Sequence, residues 1–110
     1  MALLVVTLLL FSLLSLAPAQ EGIPGGWNAI DVSDSDVQTV AKTAVKRFMP
    51  FFKLVEVRSA EKQIVAGTNF KLDVTVELSM FGEKWGCEFS LFETLQGALY
   101  LRENKCVQAN

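Results

Sequence analysis

From Asn69 to Met80, apolar and polar residues alternate without interruption. Phe70, Leu72, Val74, Val76, Leu78 and Met80 fall on one side, and Asn69, Lys71, Asp73, Thr75, Glu77 and Ser79 on the other. Successive side chains of a strand point to opposite faces, so this period of two predicts a strand with one face toward a core and one toward water. Upstream, Val55 and Val57 alternate with Glu56 and Arg58, which predicts an earlier strand over Phe51 to Lys62. Between the two stands Gln63-Ile64-Val65-Ala66-Gly67, an apolar run that continues neither pattern. If both flanks belong to one sheet, residues 63–67 sit at or near the connection, where Ile64 and Val65 are pushed toward water. Two readings are open: exposed β-branched side chains that a partner surface buries, or a longer hairpin that folds them back into the core.

The period changes earlier in the chain. Val37, Val40, Ala41, Ala44, Val45 and Phe48 recur at helical spacing, with Gln38, Lys42, Lys46 and Arg47 mostly off that stripe. Ser33-Asp34-Ser35-Asp36 is a run of N-cap residues, and Ser35 with Gln38 has the form of a capping box. Acidic residues before the helix and Lys46-Arg47 in its last turn suit the macrodipole. Pro50 stops it, since proline lacks the next N–H and disfavours helical dihedrals at Met49. The stripe reads as a core face rather than a ligand site. Trp27 and Ile30 predict a short first strand. After Met80 come a turn at Phe81-Gly82-Glu83-Lys84, a strand from Trp85 to Glu93, a turn at Thr94-Leu95-Gln96-Gly97, and a last strand from Ala98 to Cys106. One helix followed by consecutive strands predicts an α+β fold, an antiparallel β-sheet meander wrapped around one α-helix.

Composition changes this picture mainly at the N-terminus. Leu3 to Leu16 is an apolar run, interrupted only by Thr7, Ser12 and Ser15, and is shorter than the ~20 residues that span a bilayer. Ala17-Pro18-Ala19 then offers small residues where a signal peptidase reads them. Residues 1–19 are therefore expected to be a signal peptide and 20–110 the mature domain, which is secreted and extracellular. The segment before the apolar run has no Lys or Arg, a departure that keeps a retained membrane anchor as the alternative. The remaining single domain has a modest core, in the size range where a covalent staple is useful.

Charge and cysteine content narrow the chemistry. Lys and Arg total 10 against 12 Asp and Glu, and they are interspersed. This argues against nucleic acid, and against a membrane for the mature form, because both need a basic surface. There is no histidine, which removes every scheme built on an imidazole base and, with two distant cysteines, disfavours a metal site. No cofactor is expected. Carboxylates such as Asp73 and Glu77 share a strand face, but alternate polar residues on a strand are ordinarily its solvated side, so an enzyme is not the expectation. Two cysteines in a secreted chain read as one disulfide. Placing Cys87 directly opposite Cys106 puts the symmetry point between Gln96 and Gly97, inside the predicted turn, and pairs Glu88 with Lys105. Closing that loop stabilises the fold by about 3 kcal/mol. The same register puts Phe92 and Leu101 on the face of Glu88 and Lys105, so either a bulge or two-sided burial is required.

The stretch Gln20 to Gly26 is polar, rich in Gly and Pro, and aperiodic, as expected of a mobile arm. Gly25-Gly26 reads either as a flexible linker or as a backbone recognition site. Taken together, Gly25-Gly26, Gln63 to Gly67 between two strands, and the cysteine-bridged C-terminal hairpin resemble the cystatins, specifically the secreted type 2 inhibitors of papain-like cysteine proteases. Gln63 to Gly67 matches the family's Gln-x-Val-x-Gly motif in full. The resemblance implies a noncovalent wedge, made by the N-terminal arm and two hairpin loops, that blocks the cleft of a cathepsin-type protease. Gly25 and Gly26 would let the arm approach closely, with Ile23 filling a subsite. Gln63, Ile64, Val65, Ala66 and Gly67 would lie over the catalytic cysteine, and Thr94 and Leu95 would cover the primed side. A monomer is the implied state, with exchange of a strained hairpin at Val65 as the route to a domain-swapped dimer.

Three departures from the family accompany the matches. Thr94-Leu95 stands where Pro-Trp is usual, and Leu95 lacks the contact area of an indole. Only the C-terminal disulfide of the type 2 pair has its cysteines. Met49-Pro50-Phe51-Phe52 replaces the Ser-Asn-Asp loop of members that inhibit legumain, so no legumain inhibition is expected. Trp27 directly after Gly25-Gly26 is unlike the vertebrate pattern and similar to some arthropod salivary members. The alternative function is a cystatin-fold extracellular binding or defence protein with weak or no protease inhibition.

Overall fold

The computed structural model describes residues 25–109, so the leader expected over residues 1–19 and the arm residue Ile23 lie outside the described residues. Strand β1 (Trp27–Ala29) leads to helix α1 (Ser35–Phe48), followed by β2 (Phe52–Val65), β3 (Gly67–Leu78), β4 (Lys84–Glu93) and β5 (Leu99–Gln108). The strands form one sheet in the order β1-β2-β3-β4-β5, each neighbour antiparallel. This is the expected α+β meander around one helix. The apolar stripe of α1 packs against β2, β3 and β5.

The helix begins one residue earlier than the capping box implied. Asp34 is the N-cap, its carboxylate accepting from the backbone N–H groups of Asp36 (2.9 Å) and Val37 (3.3 Å). A carboxylate is a stronger acceptor than a hydroxyl and is favoured at the positive end of the helix, so Ser35 becomes the first helical residue. Gln38 does not reach back to the cap; its Nε2 donates to the Val32 carbonyl at 2.6 Å. In the turn before the helix, the Ser33 hydroxyl and then its backbone N–H donate to Asp31 and hold that carboxyl below its ordinary pKa. The helix ends at Phe48, one residue before Met49 and two before Pro50, as the proline requires.

The sheet wraps around α1 because β2 departs from simple alternation. Its register against β3 shifts between Leu54 and Glu56, and again between Val57 and Ser59, so Val55 and Arg58 are extra residues. The helix-facing positions consequently run Leu54, Val57, Ala60, three apart instead of two. Each bulge adds a bend and extra twist, and two in one strand curve the sheet about the helix. Val55 does not share a face with Val57: it is exposed, while Val57 is buried. Across the interface Ala41 and Ala44 are fully buried, and their small side chains let the curved sheet approach closely. Phe70, Leu72, Val74 and Val76 of β3, with Cys87, Phe89 and Leu91 of β4, complete the core.

Met80 leaves the pattern of β3. The chain turns after Leu78, with the Gly82 N–H donating to the Leu78 carbonyl (2.8 Å) and the Leu78 N–H to the Glu83 carbonyl (2.7 Å). Met80 and Phe81 are exposed in that turn, beside the exposed Phe51.

The last hairpin carries the expected disulfide. Cys87 pairs with Cys106 and Glu88 with Lys105. Of the two routes open in the sequence, the chain takes the bulge. Register shifts after Ser90, which pairs with Glu103, so that Leu91 pairs with Leu101 and Arg102 is the extra residue. Leu101 and Leu99 can thereby join the face of Leu91 and pack on the core, while Lys105 and Glu103 stay exposed. Replacing both Cys87 and Cys106 by Ala should lower stability by about 3 kcal/mol and the thermal midpoint by more than about 10 °C. Calorimetry on the paired variant tests it; an unchanged midpoint would show the bridge to be dispensable.

Candidate functional site

Three segments that are far apart in sequence meet at one end of the sheet, and the register brings them there. Strand β2 runs to Val65, which pairs with Gly67, so only Ala66 stands at the tip of the first hairpin. Trp27 pairs with Gln63, two residues from Val65, and this sets Gly25 and Gly26 beside the tip. On the other flank Thr68 pairs with Glu93, the last residue before the Thr94 to Gly97 turn. The end of the sheet therefore presents Gly25-Gly26, Ile64-Val65-Ala66 and Thr94-Leu95 side by side.

This edge is apolar, exposed and uncharged. Ile64 is 58% exposed, Val65 47% and Leu95 79%. The second of the two readings of Gln63 to Gly67 is thereby excluded: these side chains do not fold back into the core. Residues 25–27, 63–67 and 94–97 include no ionisable side chain, so covering them desolvates no charge. A surface of this kind gains by burial against a partner. Among the described residues no group of His, Cys, Asp and Glu is placed to hold a metal ion.

Gly67 is buried and has φ +114°, a backbone conformation that side chains strongly disfavour. A Cβ there would also lie 2.6 Å from the Glu93 carbonyl oxygen and 2.7 Å from Cζ of Phe92. The motif glycine thus lets the first hairpin seat directly on the base of the second. That second hairpin is closed by the Thr94 N–H to Ala98 carbonyl bond (2.9 Å) and the Gly97 N–H to Thr94 carbonyl bond (3.0 Å). The Thr94 hydroxyl oxygen accepts from the Ala98 N–H at 3.0 Å. With Gly97 at φ +91°, this is a type I turn followed by a glycine bulge. Leu95 is left exposed at the end of the sheet.

The outer face just below the tips carries a row that crosses every strand: Trp27, Gln63, Asn69, Phe92 and Tyr100 are successive cross-strand partners. Gln63 Nε2 donates to the Gly25 carbonyl at 2.8 Å, and Asn69 Nδ2 donates to Gln63 Oε1 at 3.0 Å. Asn28 Nδ2 donates to the Gly26 carbonyl at 3.2 Å. The Lys71 ammonium lies 4.2 Å from the centre of the Trp27 ring, and the Arg102 guanidinium 5.1 Å from that of Phe92. Sequence reasoning missed Asn28, Asn69, Lys71 and Phe92 as supports of this edge. Gln63 and Asn69 are equidistant from Ala66, so a hairpin register centred there was the signal that pairs them.

The geometry defines a cystatin-type domain. The cystatin domain family model matches residues 25–89, and the chain belongs to the cystatin family. A crystal structure of Al-CPI is 24% identical, covering 77% of this chain and 100% of that one at a TM-score of 0.65. The salivary cystatin of the soft tick Ornithodoros moubata is 23% identical, covering 77% of this chain and 99% of that one at a TM-score of 0.65. Dimeric human cystatin F is 16% identical, covering 83% and 93% respectively at a TM-score of 0.68. No curated protein is similar enough in sequence to count as a match.

Gly67→Ala and Gly97→Ala separate the two demands on these turns. Both force a side chain into a positive φ, but only at Gly67 would the new Cβ meet other atoms. Gly97→Ala should cost about 1 kcal/mol and Gly67→Ala about 3 kcal/mol, read by urea denaturation. Equal costs would mean that the close approach at Gly67 is relieved by movement of both the Glu93 carbonyl and the Phe92 ring.

Proposed function

We propose that this protein is a secreted, reversible inhibitor of papain-like cysteine proteases of the cathepsin type, acting as a wedge that fills the active-site cleft. The observation that carries the reading is the edge itself: three uncharged segments aligned by the sheet, with Ile64, Val65 and Leu95 exposed. Membership of the cystatin family supports it, and likeness to a salivary cystatin accords with secretion. Val65 and Ala66 enter over the catalytic cysteine. Gly25 and Gly26 bring the arm's backbone against the non-primed subsites with Ile23 ahead of them, and Leu95 covers the primed side. No covalent step is involved, and the protein is no enzyme. Affinity comes from a standard interface of ~1,600 Å² with a few well-buried anchors.

The reading includes a leader at residues 1–19, a mature domain over 20–110, and action as a monomer. It includes no activity on legumain, because the turn after α1 is Met49-Pro50-Phe51-Phe52, closed by the Phe52 N–H to Met49 carbonyl bond at 3.0 Å, and offers no asparagine. The second reading, a cystatin-fold extracellular binding or defence protein with weak inhibition, is favoured by Leu95 in place of an indole at the second tip.

Titration of papain with the chain beginning at Gln20 should give reversible, stoichiometric inhibition, and a chain beginning at Trp27 should bind at least tenfold more weakly. No inhibition at micromolar protein would refute the proposal. In the same assay Leu95→Trp should tighten binding by about tenfold, because the larger ring buries more area at the primed side. If Thr94→Pro with Leu95→Trp creates inhibition where the natural protein has none, the second reading is the right one.

A further inference from the structure

The side-chain amide of Gln63 is held from both sides. Its Oε1 accepts from Asn69 Nδ2 at 3.0 Å and its Nε2 donates to the Gly25 carbonyl at 2.8 Å. An amide carries its acceptor and its donors on opposite prongs, so a donor fixed on the oxygen side turns the NH₂ group toward the arm. With an acceptor in that place the amide would turn over and set oxygen against oxygen at Gly25. Asn69 thus selects the orientation in which Gln63 can hold the arm. It is itself half-buried between its cross-strand partners Gln63 and Phe92. The segment next to the arm is secured independently, by Asn28 on the Gly26 carbonyl (3.2 Å) and by Lys71 over the Trp27 ring (4.2 Å).

We infer that Asn69 is a positioning residue for protease binding: acting through Gln63, it docks the arm at Gly25 against the first hairpin before a protease is met. The inference rests on the inhibitory reading and deepens it. An arm ordered only on binding subtracts its ordering entropy from affinity, on the order of tenfold for each backbone residue fixed. A docked arm has met that cost on folding. Asn69 lies behind the edge, off the tips that would enter the cleft, so its effect on binding passes through the arm.

The test uses the chain beginning at Gln20 and two variants. Asn69→Asp keeps the size and shape of the side chain while exchanging its donor for an acceptor; Asn69→Ala removes the group. In ¹⁵N relaxation, the order parameter of Gly25 should be about 0.8 in the natural protein and fall below about 0.6 in both variants, with Asp at least as disruptive as Ala, while Gly26, held by Asn28, keeps its value. Against papain, Asn69→Asp should weaken inhibition by about tenfold in the chain beginning at Gln20 and by less than about twofold in one beginning at Trp27. An unchanged order parameter at Gly25 would overturn the inference. So would an equal loss with and without the arm, the behaviour of a residue that merely supports the hairpin. If the natural chain does not inhibit papain, the inhibitory reading fails, and the relaxation data still decide whether Asn69 docks the arm.

Discussion

The antiparallel register of β2 against β3, turned at Ala66, is the constraint on which the rest of this protein depends. It sends Phe70, Leu72, Val74 and Val76 into the core and sets Gln63 opposite Asn69. It also fixes how far the hairpin projects, with Ile64 and Val65 left exposed. A slip of one residue would exchange the two faces of β3, setting Lys71, Asp73 and Thr75 against α1. Gly67 makes the register compatible with its neighbour, since the base of β4 occupies the space that any side chain there would need. The edge is therefore one unit, in which the position of each tip is set by strands that also build the core.

Curvature is the second requirement, and it comes from additions to the strands. A flat sheet would meet α1 along a narrow line. The extra residues Val55 and Arg58 bend β2 around the helix, and Arg102 bends β5 so that Leu99 and Leu101 reach the core. Beyond this bend the disulfide ties β4 to β5 at the end of the sheet away from the tips. The tips are thus free of covalent restraint and rely on hydrogen bonds donated by the side chains of Gln63 and Asn69 and accepted by that of Thr94.

Much of this was legible in the sequence because it rests on local periodicity. The alternation from Phe70 to Val76 and the helical stripe of α1 each report their buried face directly, and the cysteine positions gave the pairing of Cys87 with Cys106. Whether Ile64 and Val65 are exposed or folded back was open in the sequence, and it is decided by the register, which leaves only Ala66 at the tip. What was not legible depends on competition between neighbours or on contacts across strands. Val55 has the apolar character of a core residue, yet a bulge turns it outward, and nothing local to Val55 announces the bulge. Ser35 and Asp34 are both capping residues, and which one caps depends on where the preceding turn delivers the chain. Asn69 reads as one more polar residue on a solvated face; its partnership with Gln63 exists only once the register is known. The clash in the last hairpin was visible as a conflict between Leu101 and Lys105, and the bulge at Arg102 is its resolution.

The edge proposed to bind differs in balance from the pattern usual in the family. Leu95 offers less area than an indole, so more of any affinity must come from Val65, Ala66 and the arm that Gln63 holds. These segments together are proposed to form the contact surface. Chemical-shift mapping of the ¹⁵N-labelled protein with papain whose cysteine is blocked tests it most directly. Perturbations confined to the arm up to Gly26, residues 63–67 and Thr94 to Gly97 are expected. Perturbations centred on the opposite end, at Phe51, Met80 and Phe81, or the absence of any complex, would contradict it.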